Sequence, residues 1–246
     1  MIKTLTKKGE LAFHEGRLLL ILFCIYTLAV KFIGREPIGP ENSKVGFAGM
    51  NKWFRDLVGY NEAWYQISKF FGVLVILTAV VFALLGFIEL IRRRNIWSVD
   101  MNYYSLGFFY VVVGIVYVFF ELVAVNYRPV IEEGGKLEAS YPSTHTMLAI
   151  CIMGSAILQF GRLIRDPHKR FVINSGAFFI GFMTVFARMM SGVHWLTDIL
   201  GGLMLSFGML LLYKSTYIRI EAMKELEARK TYDRLHADRI RVRRKR

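Results

Sequence analysis

An arginine, a histidine and an aspartate stand in residues 187–198, ARMMSGVHWLTD, between two long apolar runs. His194 and Asp198 are four residues apart, a spacing that puts both on one face if the segment is helical. A carboxylate there accepts a proton from one ring nitrogen and fixes the tautomer, which leaves the other nitrogen as a nucleophile. Arg188 supplies a planar, permanently charged fork suited to phosphate oxygens. These residue types suggest a membrane-embedded site that handles phosphate, but spacing alone does not choose between binding a phosphate and hydrolysing its ester.

Two other polar islands lie at the edges of apolar runs, Asn126-Tyr127-Arg128-Pro129 and Pro142-Ser143-Thr144-His145. Arg128 offers a second fork. A helix that begins around Ser143 and Thr144 presents free backbone amides and the positive end of its dipole, a cradle for an anion. His145, held at that helix start, can protonate a departing oxygen. Each residue also has a plain reading. Arg128 and Arg188 suit interface anchors that snorkel to headgroups, His145 suits a polar neighbour of a cap, and His194 with Asp198 suits a structural hydrogen-bonded pair. Pro142 and Ser143 alone read as an ordinary helix start.

The elements that must position these residues decide between the two readings. The chain has 246 residues, 54% of them hydrophobic, and carries a formal charge of +13. Six stretches approach the ~20 apolar residues needed to cross a bilayer, at 18–34, 70–91, 106–125, 146–160, 171–186 and 196–213. This predicts an all-α polytopic membrane protein, a bundle of six transmembrane helices. The basic residues cluster in short segments between and after those runs, a topology pattern that argues against nucleic acid as partner.

Lys3, Lys7, Lys8, Arg17, Arg92, Arg93, Arg94, Arg162, Arg165, Lys169 and Arg170 fall on one side by parity, with the basic tail. That side is expected to be cytoplasmic, with both termini there, in a multi-pass protein of the cell membrane. The other side has fewer bases, offset by Glu36, Glu41, Asp56, Glu132, Glu133 and Glu138. All three polar islands meet on that extracytoplasmic side. Independent structural needs would not require that coincidence, so the joint catalytic reading is favoured.

A membrane domain is expected over 1–215 and a charged cytoplasmic tail over 216–246, ending in a basic run attracted to anionic lipid heads. The first apolar run follows a basic leader without a small-residue cleavage pattern and reads as a retained first helix. In the first connection, Met50, Trp53, Phe54, Leu57 and Val58 recur at helical spacing, with Asn51, Lys52, Arg55 and Asp56 on the opposite face and Gly59 as a stop. This predicts a helix at about 47–59 that lies on the outer leaflet or packs over the mouth of the bundle. Cys24 and Cys151 fall inside apolar runs, and neither a disulfide nor a metal site is expected.

The three islands resemble the motifs of the type-2 phosphatidic acid phosphatase superfamily, whose membrane members have six helices. Its signature is Lys, six residues, Arg-Pro; then Pro-Ser-Gly-His; then Ser-Arg, five residues, His, three residues, Asp. Arg128-Pro129 matches the end of the first part, residues 142–145 the second with Thr144 for Gly, and 187–198 the third with Ala187 for Ser. The resemblance implies metal-independent hydrolysis of a phosphomonoester or diphosphate through a phosphohistidine, with no cofactor. His194 would attack phosphorus, Asp198 orient it, His145 protonate the leaving group, and Arg128, Arg188, Ser143 and Thr144 hold the phosphoryl oxygens.

Where that family places its lysine, seven residues before Arg128, this chain has Glu121. An anion there repels phosphate unless it is protonated, turned away or paired with a base. The expected function is hydrolysis of a lipid phosphate or diphosphate at the outer face of the membrane. Two alternatives use the same residues: a phosphotransferase that passes the phosphoryl group to another acceptor, and a disabled lipid-binding or transport protein, motivated by Glu121.

Overall fold

The computed structural model describes the backbone of residues 2–131 and 135–243 and the side chains of 4–131 and 135–236. Glu132, Glu133, the side chain of Lys3 and the basic end of the tail, counted above for topology, lie outside the described residues. Among the described residues seven α-helices follow one another: α1 Ile2–Phe32, α2 Ala48–Val58, α3 Glu62–Arg93, α4 Met101–Leu122, α5 Thr144–Leu163, α6 Pro167–Met190 and α7 Leu196–Arg243. All but α2 are long and apolar enough to cross a membrane, and the chain is a multi-pass membrane protein of all-helical fold.

The helices begin where the local chemistry satisfies their opening amides. Asn61, Asp100, Ser143 and Asp166 cap α3, α4, α5 and α6 with side-chain oxygens, and Pro167 follows at the first position of α6. The spans outrun the apolar stretches that announce them. The leader carrying Lys7, Lys8 and Arg17 is part of α1, and the tail continues α7 without a break to Arg243. Good helix formers such as Ala, Leu, Glu, Lys and Arg fill these extensions, so nothing stops the helix when hydropathy falls.

Burial identifies the centre of the bundle. In the apolar windows of α5 and α7, 50% and 56% of residues are buried, against 11–22% in the other four spans. The outer helices turn Phe70, Ile76, Leu84, Phe108, Ile115 and Phe178 outward, as a hydrocarbon solvent allows. Helix α1 lies along α7, and the two backbones approach closely at Gly16 and Gly208. A methyl group on Gly16 would come within 2.9 Å of the Gly208 carbonyl oxygen, so only glycine lets these backbones meet.

The ends of the spans differ in character. At one end, Asp100 before α4 accepts from Arg162 at the end of α5 (2.7 Å) and from Lys224 on α7 (2.6 Å). Burial pushes the Asp100 carboxyl up, but the Lys224 hydrogen bond, the Asn102 amide and Arg162 outweigh it and hold the group below the usual carboxylate range. At the other end lie the close of α4, the start of α5, the close of α6 and the start of α7, which carry the polar islands.

Helix α2 sits at that second end, within the range expected for it. Its faces are not as the spacing suggested. Asn51 is fully buried, together with Ala48 and Phe54, whereas Trp53 and Leu57 are exposed. The amide of Asn51 donates to Gly46 O (2.8 Å) and Thr197 Oγ1 (3.0 Å), and its oxygen accepts from Thr197 N (3.2 Å). Periodicity counted Asn51 with the solvent face because it is polar. The start of α7 supplies hydrogen-bonding partners that make its burial favourable.

Candidate active site

The connection between α6 and α7 is short and sharply bent. Helix α6 ends at Met190, and Gly192 then adopts φ +68° with the Gly59 carbonyl packed directly against its α-carbon. Both the left-handed backbone and the close approach require glycine there. The turn delivers His194 and Trp195 into the interior, where Trp195 Nε1 donates to Tyr127 O (2.7 Å) and fixes this loop to the segment after α4.

His194 precedes α7, which begins at Leu196, so it does not share a helical face with Asp198. The pair still meets, but indirectly. His194 Nδ1 is 3.9 Å from Asp198 Oδ2, too far for a hydrogen bond, and the hydroxyl of Ser140 stands between them. Ser140 Oγ is 2.5 Å from Asp198 Oδ2 and 2.9 Å from His194 Nδ1. Asp198 also accepts from Trp195 N (3.0 Å), Asn126 Nδ2 (3.3 Å) and Thr197 Oγ1 (3.4 Å).

This pattern sets the histidine tautomer. With donors converging on both oxygens, Asp198 acts as an acceptor-only carboxylate. The single proton of Ser140 therefore goes to Asp198, and its oxygen accepts from Nδ1–H of His194. The lone pair of the neutral ring is then on Nε2, a buried atom with no hydrogen-bond partner. Burial pushes the His194 imidazolium well below its ordinary value of 6.5, and Arg188 and Arg128 add to the effect. Burial and the two arginines thus favour the neutral ring.

The partners come from separate segments. Helix α4 ends at Leu122, short of the expected 125, and Arg128 lies beyond it in irregular chain. Val123 and the residues after it leave the helix because the backbone pairs instead with 138–140: Arg128 N donates to Glu138 O (3.0 Å) and Ser140 N to Asn126 O (2.9 Å), around a bridge between Tyr127 and Ala139. Glu121 and Arg128, seven residues apart, are therefore not related by two turns of one helix. Arg128 Nη1 pairs with Glu138 Oε2 at 2.9 Å. Glu121 is exposed on the last turn of α4, where its Oε1 lies 3.5 Å from Thr144 Oγ1.

Ser143 caps α5: its Oγ accepts from Thr146 N (3.4 Å) and Thr146 Oγ1 (3.0 Å), and its own amide donates to Asp198 O (2.9 Å). The cap uses its hydroxyl oxygen as an acceptor and leaves the hydroxyl proton to donate. Of the four opening amides of a helix, this leaves those of Thr144 and His145 for an anion. Arg188, in the last turn of α6, is buried with its guanidinium carbon 5.3 Å from the centre of the Tyr65 ring. His145 lies within electrostatic reach of Arg188, His194, Arg128 and Lys69, and its buried Nδ1 has no hydrogen-bond partner.

The structure thus gathers Arg128, Ser143, Thr144, His145, Arg188, His194 and Asp198 at one end of the bundle, with Glu121 at the edge. Motif reading missed Ser140, which joins His194 to Asp198, and gave Asn126 no role, although that side chain also donates to Asp198. Nothing in the spacing of Ser140 marks it, because a pairing of two irregular segments brings it there.

Residues 123–220 match the PAP2 superfamily. That stretch contains the second and third motifs and the Arg128-Pro129 end of the first, and begins two residues after Glu121. The chain is also similar to the crystal structure of a transmembrane PAP2-type phosphatidylglycerolphosphate phosphatase from Bacillus subtilis. The TM-score is 0.52 and the identity 18%, over 86% of this chain and 96% of that one. No curated protein matches the chain. The resemblance to the type-2 phosphatidic acid phosphatases is borne out over the segment that carries the site, on a fold shared with a membrane protein of that type.

Proposed function

We propose that this protein is a metal-independent membrane phosphatase that hydrolyses a lipid phosphate or diphosphate through a phosphohistidine at the outer face of the membrane. The observation that carries the reading is the buried, unpartnered Nε2 of His194, whose opposite nitrogen is held through Ser140 by Asp198. A neutral imidazole oriented in this way is a nucleophile. The PAP2 match and the six spans support a phosphatase with a lipid substrate.

In the first step Nε2 attacks phosphorus as the bond from phosphorus to the leaving oxygen breaks. That oxygen takes a proton from His145, which enters the step as the imidazolium favoured by the bound phosphate dianion, and the charge on His194 is balanced through Ser140 by Asp198. Arg128, Arg188 and the amides of Thr144 and His145 bind the three remaining oxygens, whose charge grows in the transition state. Water, deprotonated by His145, then attacks phosphorus. The P–N bond breaks, its electron pair returns to Nε2, and phosphate leaves.

The outer-face assignment is supported by the positions of the bases. Arg92 and Arg93 close α3, Arg162 lies near the end of α5, and Lys169 and Arg170 open α6, all at the ends of the spans remote from the site. The exposed Trp53 and Leu57 of α2 suit a helix that rests on the outer leaflet while Asn51 anchors it to α7. Within this reading the membrane domain spans 1–215, and 216–246 form a cytoplasmic extension.

The test is phosphate release by the purified protein in detergent from phosphatidate, phosphatidylglycerophosphate and a polyprenyl diphosphate. Release from at least one of them, unchanged by a chelator of divalent metals, is expected. Binding of these lipids without turnover would favour the disabled-protein alternative instead. Transfer of label from donor to a second lipid or sugar, in place of free phosphate, would identify a phosphotransferase.

A further inference from the structure

Two cavities adjoin the site, and Lys69 of α3 is the lining residue they share. One, of about 560 Å³, is bordered by Tyr60, Glu62, Gln66, Lys69 and Arg128 set among apolar side chains, and those polar groups suit a headgroup. The other, of about 460 Å³, runs past Lys69, Gly72, Ile76, His145 and Leu148 and is almost wholly apolar. A phosphorylated amphiphile has the same order of parts: polar group, phosphate, hydrocarbon. Its phosphate belongs at the seam, beside His145 on one side and Arg128 on the other.

At that seam Lys69 Nζ lies 4.1 Å from the centre of the Tyr65 ring, and the guanidinium of Arg188 lies 5.3 Å from the centre of the same ring. Tyr65 is buried, and one aromatic ring therefore gathers two cations that would otherwise repel each other. Glu62, the acidic wall of the polar cavity, is engaged by the Tyr60 hydroxyl and the Gln66 amide. The four-carbon stem of a lysine lets its three donors follow a substrate oxygen, whereas Arg188 is fixed by burial. Glu121, at the place where the first motif of the resembling family has its lysine, offers no positive charge.

We infer that Lys69 binds a phosphoryl oxygen of the substrate at the junction of the two cavities and supplies from α3 the charge that Glu121 cannot. The inference rests on the phosphatase reading given above. It assigns a substrate-binding residue outside the matched segment 123–220. It also makes the substrate an amphiphile whose phosphate is flanked by a polar group and a chain.

The experiment compares the full-length wild type with Lys69→Met and Lys69→Arg in detergent. The affinity for inorganic phosphate is read by protection against thermal unfolding, and kcat and KM are measured on phosphatidate and phosphatidylglycerophosphate. Lys69→Met is expected to weaken phosphate binding and raise KM by about tenfold, the size of one charge-assisted hydrogen bond, while Lys69→Arg stays within about threefold of wild type. Unliganded thermal stability should not change, because the side chain is exposed. Equal phosphate affinities in wild type and Lys69→Met, or no phosphate binding by the wild type, overturn the assignment. If phosphate binding depends on Lys69 but no lipid is hydrolysed, the assignment stands and the phosphatase reading falls. If lipid is hydrolysed but phosphate binding is indifferent to Lys69, the phosphatase reading stands and the assignment falls.

Discussion

His194→Ala abolishes phosphate release, with a fall in kcat expected to be about 10⁴-fold or more, as for removal of a covalent nucleophile elsewhere. The effect is large because no other described side chain of the site is held as an oriented nucleophile. His145 is the other histidine of the site, but it opens α5 beside the apolar cavity and no carboxylate fixes its tautomer in the way Asp198 and Ser140 fix that of His194. Phosphate affinity should change far less, since Arg128, Arg188 and the α5 amides remain. The check is phosphate release from the best lipid substrate, with wild type and variant matched for elution and thermal unfolding. Release by the variant within tenfold of wild type would exclude His194 as the nucleophile.

Asp198→Asn is expected to lower kcat by about 10³- to 10⁴-fold, comparable with an acid-to-amide change behind the histidine of a serine protease triad. The cause is a reversed hydrogen-bond chain. Asp198 is now an acceptor for Ser140, Trp195, Asn126 and Thr197. An amide that turns its NH₂ toward Ser140 makes the serine oxygen an acceptor from residue 198. The serine proton then points to Nδ1 of His194, and the ring proton moves to Nε2, where it occupies the attacking lone pair. KM should stay within a few-fold of wild type, because Asp198 does not contact substrate. Ser140→Ala separates this mechanism from simple loss of charge: it breaks the chain but leaves the carboxylate, and should lower kcat less than Asp198→Asn does. A full-rate Asp198→Asn enzyme would show that the tautomer is not set through this chain.

The sequence carried more of the scaffold than of the site. Six apolar runs are enough to place six spans, because each reports its own transfer free energy and needs no partner. Their ends were less legible. Charged helix formers prolong α1 and α7 well beyond the apolar runs, and backbone pairing with 138–140 takes over soon after Leu122. At the site, His194 and Asp198 were found together from their spacing, yet the helical reason for their proximity does not hold. The Gly192 turn and the Ser140 hydroxyl bring them into register instead. Ser140 and Asn126 take their roles from contacts between irregular segments, and Asn51 from its contact with the start of α7. Such contacts have no periodicity to read. Ser143 serves the helix in a way its place in the motif does not announce: its hydroxyl oxygen caps α5, and the hydroxyl proton is left for phosphate.

Chemical trapping of the covalent intermediate tests the central claim most directly. Wild-type protein mixed briefly with a substrate labelled in its phosphate and then quenched in alkali should carry base-stable, acid-labile label on the peptide that contains His194. The label should be lost in His194→Ala. In His145→Ala it should persist longer than in wild type, because that variant lacks the base that activates water for its release. Steady turnover of the lipid with no label on the protein at any quench time, or label on a residue other than His194, would contradict a phosphohistidine mechanism at this site.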